Sequence, residues 1–267
     1  MISLTQILNE AINGPKAIIL AGAPGAGKGY VLRGLDLGDL KIMNVDDIFV
    51  PMLKKANVTL DLKNATPEER SEQAKQMAAA NKEFKGEMEK IITGRESFIL
   101  DGTAASFNKT SQLKQELEEA GYNVFMLYVY TDLERSLKQN QDRFEKSGGE
   151  DRSLAPAIVM KTWMDVTKNY EPYRDLFDQN NFALVANTLE GEKLDNLEDI
   201  ISKYLTPFKP EGTKPKTDKQ KAKSKERKAK EAEVIKSLLD GKFVDDIVSD
   251  GLSKEEAQMR LKNFLTR

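Results

Sequence analysis

The sequence predicts an α/β fold in which a five-stranded parallel sheet lies between two layers of helices. Five short apolar segments alternate along the chain with longer segments whose apolar residues recur at helical spacing. Glycines or aspartates follow the first three of these apolar segments. The carboxyl ends of parallel strands meet at one edge of a sheet, and such sheets bind ligands there. The sequence therefore predicts a three-layer sandwich with a ligand site at that edge.

Composition limits the chemistry that the chain can perform. With 267 residues, of which 39% are hydrophobic, it is long enough for one α/β domain and an appendage. The absence of histidine and cysteine excludes disulfides, a histidine base and histidine or cysteine metal ligands. A general base must therefore be a carboxylate, a lysine or a tyrosine. No apolar run has the length of a membrane span and no signal-peptide pattern is present, so we expect a cytoplasmic protein without membrane contact.

A glycine-rich loop follows the first predicted strand, at 17–21. The spacing from Gly22 to Lys28 is G-x-x-x-x-G-K, and a helix is predicted from about 28 to 35. This order of strand, loop and helix is typical of a phosphate-binding loop, in which backbone N–H groups and the lysine bind the phosphates. The alternative is a strand-to-helix turn that merely contains glycines. The residues expected to bind ATP are Gly22, Ala23, Pro24, Gly25, Ala26, Gly27, Lys28, Gly29 and Tyr30.

One position of this loop departs from the common pattern. Gly29 stands where most phosphate-binding loops have the serine or threonine that binds magnesium. The segment from Gly22 to Gly29 resembles the loop of adenylate kinases, which also has glycine at this position. Those enzymes hold magnesium largely through water and a downstream aspartate, so the resemblance implies ATP and Mg²⁺ as cofactors. Tyr30 replaces the threonine that is common in that family.

The remaining elements follow from periodicity and from helix-capping signals. Thr66-Pro67-Glu68-Glu69 combines an N-cap, a proline at the first helical position and a capping-box glutamate. Further strands are predicted at 41–45, 97–100, 123–130 and 181–186. Helices are predicted at 3–13, 66–92, 109–120, from about 133 to 144, at 154–177 with an interruption at Pro172, and at 194–204.

Two aspartates, Asp46 and Asp47, follow the second predicted strand. An aspartate here can accept the proton of an acceptor hydroxyl or orient that hydroxyl, whereas the alternative is a helix N-cap. The segment Asn44-Val-Asp46-Asp47 resembles phage-type polynucleotide kinases and the related zeta-toxin-like kinases. The resemblance implies that Asp46 is the general base, and Asp47 is expected to contact the substrate. The arginine that holds the acceptor's phosphate in those families is replaced by Phe49.

A further aspartate, Asp101, follows the third strand. The segment from Phe98 to Thr103 resembles the adenylate-kinase segment whose aspartate orders magnesium through water. Its position also matches the strand of polynucleotide kinases that ends in Asp-Thr. The resemblance therefore implies that Asp101 binds Mg²⁺ through water. The arginine that grips AMP in adenylate kinases is absent, because Ala104, Ala105 and Ser106 follow, and this disfavours a nucleoside monophosphate acceptor.

Two arginines belong to or precede a polar loop at 145–153 that contains Gly148-Gly149. Arg143 precedes the loop and Arg152 lies within it, as in a mobile lid that brings positive charge onto a transferring phosphoryl group. Asn140-Gln-Asp-Arg143 matches the position of the lid arginine in the polynucleotide-kinase pattern. The alternative is that these arginines are solvated surface residues.

The charge distribution predicts three regions: a kinase domain at 1–206, a basic linker at 207–231 and a small helical C-terminal module at 232–267. Residues 209–230 contain ten lysines or arginines and three acids, a net charge of +7 that leaves −9 for the rest of the chain. The basic stretch at 214–230 is therefore a candidate contact for DNA or RNA. Because it lacks interleaved aromatic residues, a solvated linker is the alternative.

Together these features predict a P-loop NTPase fold of the nucleoside-monophosphate-kinase type. The expected activity is ATP-dependent transfer of the γ-phosphoryl group to a hydroxyl of a nucleic acid or nucleotide-like acceptor. Related phage enzymes phosphorylate hydroxymethylated bases in DNA, which makes such DNA one candidate. The enzymatic alternatives are a zeta-toxin-like nucleotide-sugar kinase and a nucleoside monophosphate kinase. The non-enzymatic alternative is a nucleic-acid-binding or assembly protein that keeps ATP as a ligand. The catalytic residues expected for a kinase are Lys28, Asp46, Arg143 and Arg152.

Overall fold

A computed structural model describes residues 14–33, 40–188 and 217–266. Five parallel strands form one sheet in the order β2-β3-β1-β4-β5. This confirms the predicted α/β class and its five-stranded parallel sheet. The helices predicted at 3–13 and 194–204 lie outside the described residues. The strands are β1 Lys16–Ala21, β2 Lys41–Met43, β3 Phe98–Leu100, β4 Asn123–Tyr130 and β5 Phe182–Ala186.

Helices connect the strands and cover both faces of the sheet, as parallel connections require. Seven of the described helices lie between β1 and β5 in the chain, and three follow β5. The helices are α1 Lys28–Arg33, α2 Asp46–Lys55, α3 Pro67–Gly94, α4 Phe107–Glu119, α5 Leu133–Lys146, α6 Pro156–Thr167, α7 Tyr170–Phe177, α8 Asp218–Leu238, α9 Gly241–Asp250 and α10 Lys254–Thr266.

The central strand β1 explains why the glycine-rich loop is held firmly. All six of its residues are buried, and it pairs with β3 on one side and β4 on the other. Its run of apolar residues suits a strand that is covered on both faces. The edge strand β2 is different, because Lys41 and Ile42 are exposed and only Met43 is buried. The phosphate-binding loop therefore starts from the most constrained part of the sheet.

The predicted start of α3 is confirmed in detail. The Thr66 hydroxyl accepts a hydrogen bond from the Glu69 N–H at 3.2 Å, and the Thr66 N–H donates to the Glu69 carboxylate at 2.8 Å. Pro67 occupies the first helical position. This reciprocal capping box satisfies two backbone donors that would otherwise lack helical partners.

The helix predicted at 154–177 is two helices, α6 and α7, and the break is not at Pro172. The chain leaves the helical path at Asn169 (φ −90°, ψ 3°), whose side-chain amide donates to the Ala105 carbonyl at 3.1 Å. Pro172 is the third residue of α7. A helix has no internal acceptor for the N–H at that position, so the proline is tolerated.

The second strand is shorter than predicted and leads directly into a helix. β2 ends at Met43, and Val45 has helical backbone angles (φ −61°, ψ −24°) as the residue before α2. Asp46 and Asp47 are the first two residues of α2. Neither is the N-cap, so the capping role considered for these aspartates is wrong.

The C-terminal helices contribute to the core around the sheet. Ala257, Leu261 and Phe264 of α10 pack with sheet residues including Ile18 and Phe125. On another side, Ile235 and Leu238 of α8 pack in a cluster with residues of α5 and α6. The division at 207–231 and 232–267 stays a prediction, although residues of its last part share the core of the sheet. The N-terminal half of α8, which carries most of the described basic stretch, is largely exposed. None of the helices in the described ranges is long and apolar enough to cross a membrane.

We predict that Phe264→Ala lowers stability by about 3–5 kcal/mol, the usual cost of deleting a buried phenyl ring. The Phe264 side chain is 2% exposed, and its ring centroid lies 5.0 Å from that of Phe125. The matched control is Met259→Ala on the same helix, where the side chain is 60% exposed. Urea denaturation of both variants checks this. Equal stability of the two variants would show that α10 does not support the sheet.

Candidate active site

Two glycines allow the loop between β1 and α1 to pack closely against the rest of the protein. Gly25 and Gly27 have φ angles of +76° and +81°, which residues with a Cβ atom rarely adopt. A Cβ at Gly25 would lie 2.6 Å from the Ser136 carbonyl oxygen, and one at Gly27 would lie 2.3 Å from the Asn187 amide nitrogen. Backbone conformation and packing both therefore require glycine at these two positions.

Side chains from distant elements hold carbonyl groups of this loop. Ser136 of α5 donates its hydroxyl to the Pro24 carbonyl at 2.6 Å, and the Asn187 side chain, just after β5, donates to the Ala26 carbonyl at 2.7 Å. A phosphate-binding loop must turn its N–H groups toward the anion. Hydrogen bonds that hold the carbonyls on the opposite side favour this orientation.

Lys28 is the first residue of α1, and its side chain folds back across the loop. Its Nζ atom donates to the carbonyls of Gly22 and Ala23 at 3.0 and 3.3 Å. These two hydrogen bonds hold the ammonium group against the loop. A β- or γ-phosphate on the loop would offer the same group a full negative charge.

The predicted catalytic residues lie close enough to Lys28 to affect its ionisation. Burial is the main cause that lowers the pKa of Lys28. The negative charges of Asp101 and Asp46 oppose this effect, whereas the positive charges of Arg143 and Arg152 add to it. The fold therefore gathers two carboxylates and two arginines around the lysine of the loop.

Asp46, and not Asp47, faces this cluster. One carboxylate oxygen of Asp46, Oδ2, accepts a hydrogen bond from the Arg152 guanidinium at 2.6 Å, in an ion pair whose side chains are 24% and 22% exposed. The other oxygen, Oδ1, is buried and has no hydrogen-bond partner within the described residues. Asp47 is exposed on α2. A buried carboxylate oxygen without a partner can accept a hydrogen bond from a ligand hydroxyl.

Asp101 lies at the carboxyl end of β3, beside the end of β2. Its backbone N–H donates to the Met43 carbonyl at 2.8 Å, and its carboxylate accepts a hydrogen bond from the Asn44 side chain at 3.0 Å. Burial raises the pKa of Asp101, and the positive charge of Lys28 is the largest opposing effect. A partly buried carboxylate near the phosphate loop suits Mg²⁺, which prefers oxygen ligands and usually keeps several waters.

Both arginines of the predicted lid are paired with carboxylates. Arg143, in the last turn of α5, donates through Nε and a terminal nitrogen to Asp151 at 3.1 and 3.3 Å. This hydrogen bonding is the main cause that raises the pKa of Arg143. The guanidinium of Arg152 lies 6.0 Å from the ring centre of Phe49, the residue that replaces the expected acceptor arginine. Arg152 thus brings positive charge to the neighbourhood of Phe49.

The lid loop, residues 147–153, is attached to the segment that follows α2. The Ser153 N–H donates to the Leu60 carbonyl at 3.0 Å, and the Ser153 hydroxyl donates to the Asp61 carboxylate at 2.6 Å. Lys54 and Glu150 form an ion pair between α2 and the loop. The lid loop therefore rests on α2 and the residues after it, the same part of the protein that carries Asp46.

The residues at the site differ in part from those that the sequence predicts. Gly29 and Tyr30 of the predicted ATP-binding set are exposed, with Tyr30 61% exposed on α1. The sequence alone predicts no role for Ser136, Asn187 or Asn44. Asn44 belongs to the segment that resembles the polynucleotide kinases, and that resemblance indicates that it lies near the site. No local pattern marks Ser136 or Asn187, because they reach the loop from distant parts of the chain.

We predict that Gly27→Ala weakens binding of an ATP analogue by at least about tenfold, the effect of roughly 1.4 kcal/mol of strain. The added methyl group would meet Asn187, and alanine would have to adopt the positive φ of this position, which is unfavourable for it. Gly86→Ala is the control, because its Cβ in α3 would have no neighbour within 4 Å. Titration with a fluorescent ATP analogue checks this. Unchanged binding by the Gly27 variant would show that the nucleotide does not depend on this loop conformation.

Comparisons with known proteins agree with this architecture. Two structures described as the AvrRxo1-ORF1:AvrRxo1-ORF2 complex, one with sulphate ions and one with ATP, are 17% and 16% identical to this chain. The first covers 98% of this chain and 82% of its own, with a TM-score of 0.51; the second covers 97% and 83%, with a TM-score of 0.50. At such identities the similarity shows the fold alone.

A structure from the PezAT toxin–antitoxin system of Streptococcus pneumoniae is 16% identical, covers 85% of this chain and 88% of its own, and has a TM-score of 0.47. A comparison with curated proteins gives no match. A family profile described as Zeta toxin matches residues 3–172, well over half of the chain. The chain therefore belongs to the zeta toxin family of P-loop kinases.

Proposed function

We propose that this protein is an ATP-dependent kinase that transfers the γ-phosphoryl group to an acceptor hydroxyl. The observation that carries the proposal is Asp46, a carboxylate with one buried, unpartnered oxygen beside the lysine of a phosphate-binding loop. Membership of the zeta toxin family supports the same activity. One complex of similar fold is described with ATP, and we extend that ligand to this chain.

In the proposed mechanism, the loop holds the β- and γ-phosphates by its N–H groups and Lys28 neutralises them. Asp101 would hold Mg²⁺ through water, and the ion would supply positive charge that offsets the negative charge of the phosphates. Within the described residues, no group of three or more acidic side chains could enclose a metal ion by itself. This suits Mg²⁺, which is usually bound by one or two carboxylates together with substrate phosphates.

Asp46 then accepts the proton of the acceptor hydroxyl. The hydroxyl oxygen bonds to the γ-phosphorus as the bond between that phosphorus and ADP breaks. Arg152 holds Oδ2 of Asp46 in an ion pair, whereas Oδ1 is open to the acceptor hydroxyl. The γ-phosphate offers Arg152 an alternative anionic partner. Transfer of Arg152 to the phosphoryl group would free the second oxygen of Asp46 and stabilise charge in the transition state.

The acceptor is proposed to be a nucleotide-like molecule or polymer with a free hydroxyl. Family membership favours a nucleotide sugar, the acceptor that the zeta-toxin resemblance implies. The exposed basic half of α8 favours DNA or RNA, including DNA with hydroxymethylated bases, because clustered lysines attract phosphates. Several of these lysines form ion pairs within the helix, such as Lys230 with Glu226. This pairing reduces the charge available to a polymer.

A phosphoryl-transfer assay tests the proposal and separates these acceptors. The purified protein is incubated with γ-labelled ATP, Mg²⁺ and a pool of plain and hydroxymethylated DNA, RNA, nucleoside monophosphates and nucleotide sugars. Label in one acceptor class supports the kinase and identifies its substrate, and the Lys28→Ala variant should transfer none. ATP hydrolysis without a labelled acceptor would instead indicate an ATPase, and binding without turnover would indicate a binding protein.

We predict that Asp46→Asn lowers kcat by about 10²- to 10⁴-fold, the usual contribution of a general base. Binding of an ATP analogue should persist, because Asp46 contacts Arg152 and not the loop. Asp47→Asn is the matched comparison, since this neighbour is exposed, and it should cost much less activity. Steady-state kinetics of both variants with the identified acceptor decide between them. A larger loss for Asp47→Asn would assign the base to Asp47.

A further inference from the structure

The side chain of Asn44 links the two aspartates of the site. Its Nδ2 atom donates to the Asp101 carboxylate at 3.0 Å, and its Oδ1 atom accepts from the Asp46 backbone N–H at 2.9 Å. Asn44 lies between β2 and α2, one residue after the end of the strand. Both polar ends of this one side chain are therefore used within the site.

The chemistry of the partners fixes the orientation of this amide. A backbone N–H can only donate, so the Asn44 oxygen must face Asp46. Its NH₂ group then faces Asp101 and must find an acceptor there, which a carboxylate oxygen provides. Serine or aspartate at position 44 could still accept from the Asp46 N–H, as both do at helix starts. Aspartate has no donor for the Asp101 carboxylate, and the serine hydroxyl oxygen stands about where the Asn44 Cγ atom does, one bond short of the Nδ2 atom that reaches Asp101.

The backbone alone fixes the position of Asp101 but not the direction of its carboxylate. The register of β2 with β3 pairs Met43 with Leu100, so the residues that follow these strands lie side by side. Lys28 attracts the same carboxylate, whereas the negative charges of Asp46 and Asp47 oppose its ionisation. The amide of Asn44 supplies a directional hydrogen bond that Coulomb attraction does not.

We propose that Asn44 is a positioning residue that holds the Asp101 carboxylate in a fixed relation to the first turn of α2, which carries Asp46. The proposal rests on the proposed kinase function, in which Asp46 is the base and Asp101 faces the metal. Asn44 itself touches neither ATP nor acceptor in this scheme. Its effect on the reaction passes through the two aspartates.

The discriminating variant is Asn44→Ser, with Asn44→Asp and Asn44→Ala beside it. Serine keeps the acceptor for the Asp46 N–H and so retains the local turn, but its shorter side chain does not carry a donor as far as Asp101. We expect the serine variant to melt near the wild-type temperature and to keep its KM for ATP. Its kcat should fall by about 10- to 100-fold, the range for loss of a hydrogen bond to a charged group. The kcat of Asn44→Asp should fall further than that of Asn44→Ser, because aspartate places a like charge opposite Asp101.

A wild-type kcat in both the Asn44→Ser and the Asn44→Asp variants would overturn the proposal, because Asn44 would then serve only the local turn. A double-mutant cycle adds a second criterion: in an Asp101→Ala background, Asn44→Ser should cost less than about twofold if it acts through Asp101. A full additional loss would contradict the proposal. Asp101→Ala should itself remain folded, since the Met43 hydrogen bond uses its backbone.

A crystal structure of the Asn44→Ser variant separates this proposal from the proposed function. We expect the Asp101 carboxylate to turn from its wild-type direction while α2 keeps its start. An unchanged Asp101 side chain would refute the positioning role even if the protein is a kinase. Absence of phosphoryl transfer by the wild-type protein would refute the proposed function, whereas the Asp101 conformation would still test the positioning role.

Discussion

The ion pair between Asp46 and Arg152 connects the two halves of the candidate site, because it joins the start of α2 to the loop after α5. Arg152 reaches Asp46 from a loop that Ser153 and Glu150 attach to α2 and the residues after it. Because both side chains are largely shielded from water, separating them without new partners would leave charges poorly solvated. In the proposed mechanism, an anion that replaces Asp46 as the partner of Arg152 would therefore act on both the loop at 147–153 and the proposed base. A γ-phosphate on the neighbouring loop is such an anion.

The parallel sheet supplies the constraint that makes this arrangement possible. Strands β1, β2 and β3 are neighbours and run in the same direction, so the residues after each strand come together at one edge. The phosphate loop, Asp46 and Asp101 follow these three strands in turn. The loop is then fixed from the other side by Ser136 and Asn187, which follow β4 and β5. All five strands thus contribute to a single site, although its residues span most of the sheet domain.

Local patterns in the sequence were sufficient for features that depend on local physics. The glycine spacing predicted the loop, and Thr66 with Glu69 predicted the start of α3, because backbone conformation and capping are set by nearby residues. Long-range contacts could not be predicted in this way. Ser136 and Pro24 are 112 residues apart, and Arg152 and Asp46 are 106 residues apart, so only the fold brings them together. The same holds for the choice between Asp46 and Asp47, since adjacent residues on a helix face different directions and only tertiary packing shows which one meets Arg152.

The most direct test of this account is a crystal structure of the protein with Mg²⁺ and a non-hydrolysable ATP analogue. The account predicts that the phosphates bind the loop between β1 and α1, with Lys28 moved from the loop carbonyls to the phosphates. Arg152 should contact the γ-phosphate, and both oxygens of Asp46 should face the acceptor side. A nucleotide bound elsewhere, or an Arg152 still paired with Asp46 beside a bound γ-phosphate, would contradict the account.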